Sequence, residues 1–379
     1  MADPVLFLDG TVRARDPEAT WAALEPWRER CGITRVADLT GLDCLGIPVW
    51  TAIRPTAVTL TASQGKGATG RLAAISAVME SIELWHAEQP VHVEQSCPAH
   101  DLLLPYPLLA LPVREERAVL EDVVLDWTSG TGLVSGRTVP VPVGMVRRAR
   151  PRMWRPAVFR ATSTGLACGN TRDEALLHAL YEVVERHALH LDEQLGGELR
   201  ARVDPDTVDG AYAWELIGRV RAAGAVLELA VVENRYGLPV CLAYLWSEDY
   251  PVWFAGAGCH HDPQIALTRA ITESAQSRLT CIAGTRDDLA SREEAFETSV
   301  RRPDTSGWAG HEWAGLGLAT GVPWAGSMAG QVAVVAELVE VVTGYEPVAV
   351  TLSVPEAPFT AVKVIAPGAT SRTKRAIPR

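Results

Sequence analysis

Residues 73–83 read AAISAVMESIE, residues 175–185 read ALLHALYEVVE, and residues 266–276 read ALTRAITESAQ. All three fit the pattern A-x-x-x-A-x-x-E-x-x-[E/Q]. On an α-helix those four positions fall within about 120° of one another. The alanines form a close-packing stripe, and the acidic pair sits at its edge, one turn apart. A glycine-containing stretch precedes each segment: GKGATG (65–70), GLACGN (165–170) and GAGCHHDP (256–263). Before each of these comes a strand-like run: TAVTLTASQ (56–64), PAVFRATST (156–164) and PVWFAGAG (251–258). The repeated unit is strand, glycine turn, helix. That arrangement aims backbone N–H groups and a helix N-terminus at an anion. Helix starts are legible too. Thr171 with Glu174 forms a capping box, and Asp262 then Pro263 is a cap followed by the favoured first-turn proline.

Between the units, AWELIGRVRAAG (213–224) reads as an amphipathic helix. AVLELAVVEN (225–234) and PVCLAYLW (239–246) read as strands around the turn RYGL. GQVAVVAELVEVVTG (330–344) reads as a helix, and VAVTLSV (348–354) and FTAVKVIA (359–366) as strands. The stretch 284–328 resists assignment, and its GLGLATG reads as a mobile loop. With no clear linker, the whole chain, 1–379, is expected to form one composite α+β domain. It has a lead-in over about 1–55, a core over about 56–290, and a C-terminal helix and strands over about 330–370.

Bulk properties narrow the function. The chain has 379 residues, 47% of them apolar and 21% charged, which allows a large buried core. A net charge of −11 with no basic face argues against a duplex nucleic-acid binder. There is no membrane-spanning run, and the start MADPVLFLDG lacks the basic-then-apolar pattern of a signal peptide. The seven cysteines are scattered and never form a CxxC pair. Reduced thiols in a cytoplasm and no zinc site are expected.

The carboxylates carry the chemistry. Glu80/Glu83 and Glu182/Glu185 are i, i+3 pairs, and like charges at that spacing give a helix nothing by themselves. Beside a face meant for burial they are costly without compensation. One reading is a solvated edge, or ion pairs with arginines such as Arg71 and Arg186. The sharper reading brings four carboxylates together from two helices. Such a cluster needs divalent cations, and hard oxygen ligands with phosphate partners suit Mg2+. The glycine turns supply the phosphate side. SQGKG offers Lys66 as a point charge, although it is not a Walker A loop.

These residues also carry a resemblance. SQGKGATGRLAAISAVMESIELWHAE (63–88), STGLACGNTRDEALLHALYEVVERHAL (163–189) and ALTRAITESAQSRLTCIAGTRDD (266–288) resemble the signature blocks of the YcaO family. The lead-in GITRVADLTGLDCLGIPVWTAIRP (32–55) and the late VKVIAPG (362–368) do so as well, so the likeness runs in order along nearly the whole chain. It implies an α+β YcaO-type fold, with the three units around mixed or antiparallel sheets. It also implies ATP- and Mg2+-dependent modification of a peptide backbone. A nucleophile adds to an amide carbon, and the amide oxygen is phosphorylated and leaves as phosphate. A neighbouring Cys, Ser or Thr side chain gives an azoline, sulfide a thioamide, an amine an amidine.

By position, the resemblance makes Glu80, Glu83, Glu182 and Glu185 the Mg2+ ligands. It places Asn170 and Glu174 near the nucleotide, and Arg71 and Arg186 on phosphate. Ser63 and Lys66 fall in the first glycine turn. Glu273, Gln276 and Arg278 fall in the third block, where the neutral Gln276 is expected to touch nucleotide or substrate rather than metal. Arg13, in GTVRARDPEAT, resembles a basic residue that reaches the ATP site. His178, His187, His260 and His261 are candidates for a general base, none of them decisive.

QSRLTCIAGTRDD looks most like members encoded with a TfuA-type partner, which points to thioamide formation with that partner delivering sulfide. The C-terminal TSRTKRAIPR departs from the P-x-P-x-P ending of many azoline formers. The runner-up is azoline or amidine formation on a natural-product precursor peptide. A nonenzymatic ATP-binding scaffold is the remaining alternative. With the lead-in at the start of the chain, a leader peptide is expected to need a separate partner or direct binding. The resemblance favours a homodimer.

Overall fold

The structure is a computed structural model that describes residues 5–114, 120–148, 158–285, 302–318 and 321–371. A small hairpin, β1 (Leu6–Leu8) and β2 (Thr11–Arg13), leads into α1 (Pro17–Arg30). Next come β3 (Arg35–Asp38), β4 (Val49–Ile53), β5 (Ala62–Lys66) and α2 (Gly70–Glu88). The middle holds β6 (Gln95–Cys97), β7 (Leu125–Gly132), β8 (Thr138–Pro142), the short α3 (Val143–Val146), β9 (Leu166–Gly169) and α4 (Arg172–Gln194). Then follow β10 (Arg200–Val203), α5 (Ala211–Ala222), β11 (Val226–Val232), β12 (Val240–Trp246), β13 (Phe254–Cys259) and α6 (Pro263–Ala283). The chain closes with α7 (Met328–Thr343), β14 (Val348–Thr351) and β15 (Thr360–Ile365).

Besides the hairpin there are three sheets. One runs β3-β4-β5, a second β10-β11-β12-β13, and the largest β6-β7-β14-β15-β9, with β8 also on β7. Every ladder between named strands is antiparallel, so the mixed alternative falls away. The only parallel pairing among the described residues is the isolated bridge Val203–His311. The strand of each repeated unit, β5, β9 or β13, is an edge strand of its own sheet.

The strands begin later than their apolar runs suggest. The first covers 62–66 rather than 56–64, and the second 166–169, inside the stretch expected to be a glycine turn. Of the run 156–164, residues 156 and 157 lie outside the described residues, and Phe159 makes only a bridge to Val113. The reason is the glycines. They look like turn residues, but they sit where a helix lies directly on its strand. A Cβ at Gly65 would overlap backbone atoms of Ala73 and Ala77, one at Gly256 those of Ala270 and Ser274, and one at Gly258 that of Ala266. On the helix side the matching residues are the alanine stripe. Ala73, Ala77, Ala175, Ala179, Ala266 and Ala270 are all fully buried.

The expected helix starts are present. Asp262 accepts from Gln264 N at 2.8 Å with Pro263 in the first turn, and Thr69, not singled out from sequence, caps α2. Asp16 and Pro17 repeat the cap-and-proline device at α1. The main core lies between α4, α7 and the faces of the two larger sheets, from Leu176 and Val184 to Leu242, Val335 and Val362. A second core joins α5 and α6 to the four-stranded sheet through Leu216, Ile217, Leu229, Leu267 and Ile271. Part of the loop read at 315–321 lies outside the described residues; Trp313–Leu316 is a single 3₁₀ turn. No helix among the described residues is long and apolar enough to cross a membrane.

Two glycines separate close approach from simple flexibility. Gly256→Ala forces β13 off α6, and overpacking of that kind costs about 1–3 kcal/mol or more. Gly218→Ala, inside α5 with nothing nearby, gains roughly 0.5–1 kcal/mol from helix propensity. Thermal melts should therefore move in opposite directions for the two variants.

Candidate active site

The three edge strands and three helices enclose one cavity of about 710 Å³. β5 contributes Gln64 and Lys66, β9 Leu166 to Cys168, and β13 Phe254, Ala255 and Cys259. From α2 come Glu80 and Glu83, from α4 Glu174, Glu182, Glu185 and Arg186, and from α6 Arg269, Glu273 and Gln276. Thus both acidic pairs, predicted from spacing alone, face the same space.

The carboxylates also tie the edges together. Glu80 accepts from Gln64 N at 3.1 Å, Glu83 from the backbone N–H of Cys168, and Glu182 from Gly165 N at 3.0 Å. Unpaired edge N–H groups are otherwise a liability; here each meets a helix carboxylate. Glu185, itself buried, lies 3.6 Å from Arg186, and Glu182 lies 3.7 Å from the same guanidinium.

The acid groups are hard to ionise together. Burial, then the charges of Glu182 and Glu80, push Glu83 well above the usual carboxylate range, although Lys363 opposes them. Burial also raises Glu182, against Arg186 and the Gly165 N–H. Glu185 is pushed up to about 7 by burial, with Arg186 working the other way and Glu273 and Glu182 adding to the rise. Glu273 differs. Burial would raise it, but the Lys66 ammonium at 2.6 Å and Arg186 outweigh that and hold it down.

A cation would relieve this strain, and the donor set fits a hard one: carboxylate oxygens on two facing helices. Among the described residues no three such groups close on one point as a self-sufficient chelating cage. That suits Mg2+, which keeps waters and phosphate oxygens in its shell. Arg186 adds a second sign. Its buried Nε–H lies 3.6 Å from Glu185 without a hydrogen bond among the described residues, and so keeps the capacity to donate to an anion.

At the other end of the cavity Asn170 donates to Glu174 at 3.1 Å and accepts from Thr20 at 2.9 Å. Glu174 also accepts from Ala14 N at 3.0 Å and lies 3.5 Å from Arg13. Only half of the capping box forms: Thr171 accepts from Glu174 N, but the Glu174 carboxylate turns to Arg13 and Ala14 instead. His178 projects into this basic corner. Burial, then Arg269, Arg13, His260 and Lys66, hold its imidazole neutral. His261 accepts or donates at 2.8 Å with the Tyr181 hydroxyl and stacks on Trp324. Cys168 and Cys259 line the cavity, but burial and then nearby carboxylates keep both as thiols.

Three expected site residues are not brought to the cavity. Arg71 pairs with Glu18 at 2.8 Å and covers the Trp21 ring on the outer side of α2. Arg278 is consumed by Asp43 at 2.9 Å, Ser247 at 2.6 Å and Asp249 at 2.9 Å, a buried tie between α6 and the loops beside it. Ser63 falls on the opposite face of β5 from Gln64 and Lys66, as the period of a strand requires, and its hydroxyl is buried.

Gln276 does line the cavity, and its side-chain N–H donates to the Gln64 carbonyl at 3.4 Å. A carboxylate could not make that bond. The neutral third copy therefore holds β5, whose next contact is Gln64 N to Glu80. Sequence reasoning did not single out Gln64, Arg148, Arg269 or Lys363 as site residues. The usable signals were Arg269, one turn before Glu273, and Lys363, a lone cation within an apolar strand.

Comparison with known proteins agrees with this architecture. The family described as "YcaO cyclodehydratase, ATP- and Mg2+-binding" matches residues 64–370. A protein of Mycobacterium tuberculosis is 42% identical over 377 residues, covering 97% of this chain and 85% of its own. A protein of Rhizobium leguminosarum bv. trifolii, named for its place in the tfuA 3′ region, is 38% identical over 312 residues, covering 74% and 70%. The fold is shared with YcaO from Methanopyrus kandleri bound with AMPPCP and Mg2+, at TM-score 0.70 and 21% identity over 97% of this chain and 95% of that one. It is also shared with a heterocyclase in complex with substrate and cofactor, at TM-score 0.75 and 19% identity over 98% and 55%. With a family match across most of its length and relatives this similar, the chain belongs to the YcaO family, whose members bind ATP and Mg2+.

Proposed function

We propose that this chain uses ATP and Mg2+ to activate a peptide-backbone amide by phosphorylating its oxygen, and that sulfide replaces that oxygen to give a thioamide. One observation carries the reading. The Glu80/Glu83 and Glu182/Glu185 pairs face a single cavity, where burial and then neighbouring carboxylates make Glu83 and Glu185 hard to ionise.

In this reading the two pairs hold Mg2+, which neutralises charge on the phosphoryl group in transfer. Arg186 gives its orphan N–H to a phosphate oxygen. Lys66, fixed by Glu273, stands beside it as a point charge. Arg13, Asn170 and Glu174 take the nucleoside end. The peptide enters past Thr59, Leu60, Leu84 and Thr162 to Thr164, on the far side of Glu83. Enclosure raises the worth of every charge in the cavity. The balance is simple: hydrosulfide adds to the amide carbon, the amide oxygen takes the γ-phosphoryl as its bond to the β-phosphate breaks and ADP leaves, and the carbon–oxygen bond then breaks to release phosphate while sulfur gives up its proton to form C=S. The whole chain acts as one catalytic domain, in keeping with three sheets that share one cavity.

Sulfur as nucleophile is supported by the relative in the tfuA 3′ region, in line with a TfuA-like partner that delivers it. The second reading is azoline formation, in which a Cys, Ser or Thr side chain of the peptide is the nucleophile. The family description as a cyclodehydratase and the likeness to a heterocyclase favour it. A homodimer is the expected assembly, and light scattering checks it.

Mass spectrometry of a precursor peptide from a neighbouring gene, incubated with ATP, Mg2+ and a sulfide source, separates the readings. A thioamide product is heavier by the exchange of oxygen for sulfur, an azoline lighter by one water. Glu80→Gln and Glu182→Gln should each lower peptide-dependent phosphate release on the order of 100-fold or more. Undiminished release in both variants would refute the site.

Glu185 yields a pH prediction. Its folded pKa, about 7, lies above the ordinary 4.5, so the unfolded chain ionises first as pH rises. Stability is untouched below 4.5, falls between the two values, and is fully reduced above 7. Glu185→Gln removes a penalty of roughly 1–3 kcal/mol. Without nucleotide it should melt a few degrees higher than the parent at alkaline pH and about equally at acid pH. Differential scanning fluorimetry with and without Mg2+ and ATP tests this, since the added ligands should erase the advantage.

A further inference from the structure

After the half-buried Thr360, β15 is apolar and buried except for Lys363, which is itself only 3% exposed. Among the described residues its ammonium makes no hydrogen bond to a carboxylate. It donates instead to two backbone carbonyls, Thr162 O at 2.8 Å and Thr164 O at 2.6 Å. The next residue along the chain, Gly165, donates its N–H to Glu182 at 3.0 Å. Its carbonyl accepts from Val364 N at 2.7 Å. Consecutive residues of one strand thus pin consecutive residues of one loop, Lys363 by side chain and Val364 by backbone. Gly165 has φ +76°, and a Cβ there would strike the Val364 carbonyl, so the loop cannot relax around a bulkier residue.

A buried ammonium is an expensive way to hold two carbonyls. Apolar packing would fill the same volume without desolvating a charge. The expense has a use here. The charge lies near Glu182 and Glu83, with Arg148 as the other cation on that side of the cavity.

We infer that Lys363 is a positioning residue for the cation-binding carboxylates, acting on Glu182 through the backbone of Thr162 to Gly165. The inference rests on the reading of Glu182 as a cation ligand. Lys363 touches neither nucleotide nor cation. It sets the direction of the Gly165 N–H, which fixes one oxygen of Glu182 and leaves the other, 3.7 Å from Arg186, without a hydrogen bond among the described residues to hold it.

Mn2+ binding, read by electron paramagnetic resonance in the presence of a non-hydrolysable ATP analogue, is the test. Lys363→Met should weaken Mn2+ affinity about 10-fold or more, the usual scale for residues that orient metal ligands. Combined with Glu182→Gln it should add no further loss, because both changes act on one group. Lys363→Gln keeps a donor for the carbonyls and should fall between Lys363→Met and the parent. Affinity in Lys363→Met within about twofold of the parent, or independent losses that multiply in the double variant, would overturn the inference. So would failure of both lysine variants to fold, which would make the lysine a structural prop. If the parent itself binds no Mn2+ with the nucleotide analogue, the reading of the whole site fails, a result distinct from any change confined to the lysine variants.

Discussion

Contact at backbone distance between a helix and the edge strand before it is the constraint on which the rest of this molecule depends. It occurs at α2 on β5, at α4 on β9 and at α6 on β13, and each time glycine on the strand meets alanine on the helix. Only at that distance can a glutamate one turn further along reach a strand N–H. Glu80 reaches Gln64 in this way, and Glu83 crosses to Cys168 in the neighbouring sheet. The same contact that packs the fold therefore aims the carboxylates. A side chain added to one of these glycines would disturb packing and site geometry together.

The site stands in tension with stability. Dense packing draws Glu83, Glu182 and Glu185 out of water, and burial raises the proton affinity of each. The resident cations are spent unevenly. Lys66 satisfies Glu273, Arg186 is shared between Glu182 and Glu185, and Lys363 is turned to backbone carbonyls. Arg13, Arg148 and Arg269 also border the cavity, and N–H groups of Gln64 and Gly165 hold Glu80 and Glu182 in place. A ligand that brings divalent cations and a polyanion together would relieve the buried carboxylates and give Arg186 an acceptor for its Nε–H.

Much of this was legible because helix periodicity is local. The alanine stripe, both glutamate pairs, the Asp262 cap, and the elements at 211–222, 226–232 and 328–343 all follow from spacing. The strands of the units were displaced because a glycine that lets a helix approach is indistinguishable in sequence from one that turns the chain. Likewise a positional match cannot tell where an arginine ends up. Arg186 faces the cavity, whereas Arg278 has three polar partners from elsewhere in the chain and Arg71 reaches only α1. Lys363 and Gln64 were invisible for the same reason: their partners are distant in sequence, and only the register of β15 against β9 and of β5 against β4 sets where they point.

The third unit explains why repetition did not end in identity. If its last position were a glutamate, it would face the Gln64 carbonyl, two acceptors opposed, within reach of the charges of the other two units. Glutamine turns that repulsion into a donor contact. The remaining acid of that unit, Glu273, is neutralised by Lys66 from β5, so the first and third units are joined by an ion pair as well as by an amide. The first and second units, in contrast, are joined through Glu83, which has no ion pair among the described residues and feels Lys363 only at longer range. The asymmetry divides the cavity. One side is closed by internal pairing, Lys66 with Glu273 and Gln276 with the Gln64 carbonyl. The other gathers Glu83, Glu182 and Glu185, whose proton affinities are raised first by burial, with Lys363 and Arg186 working against it.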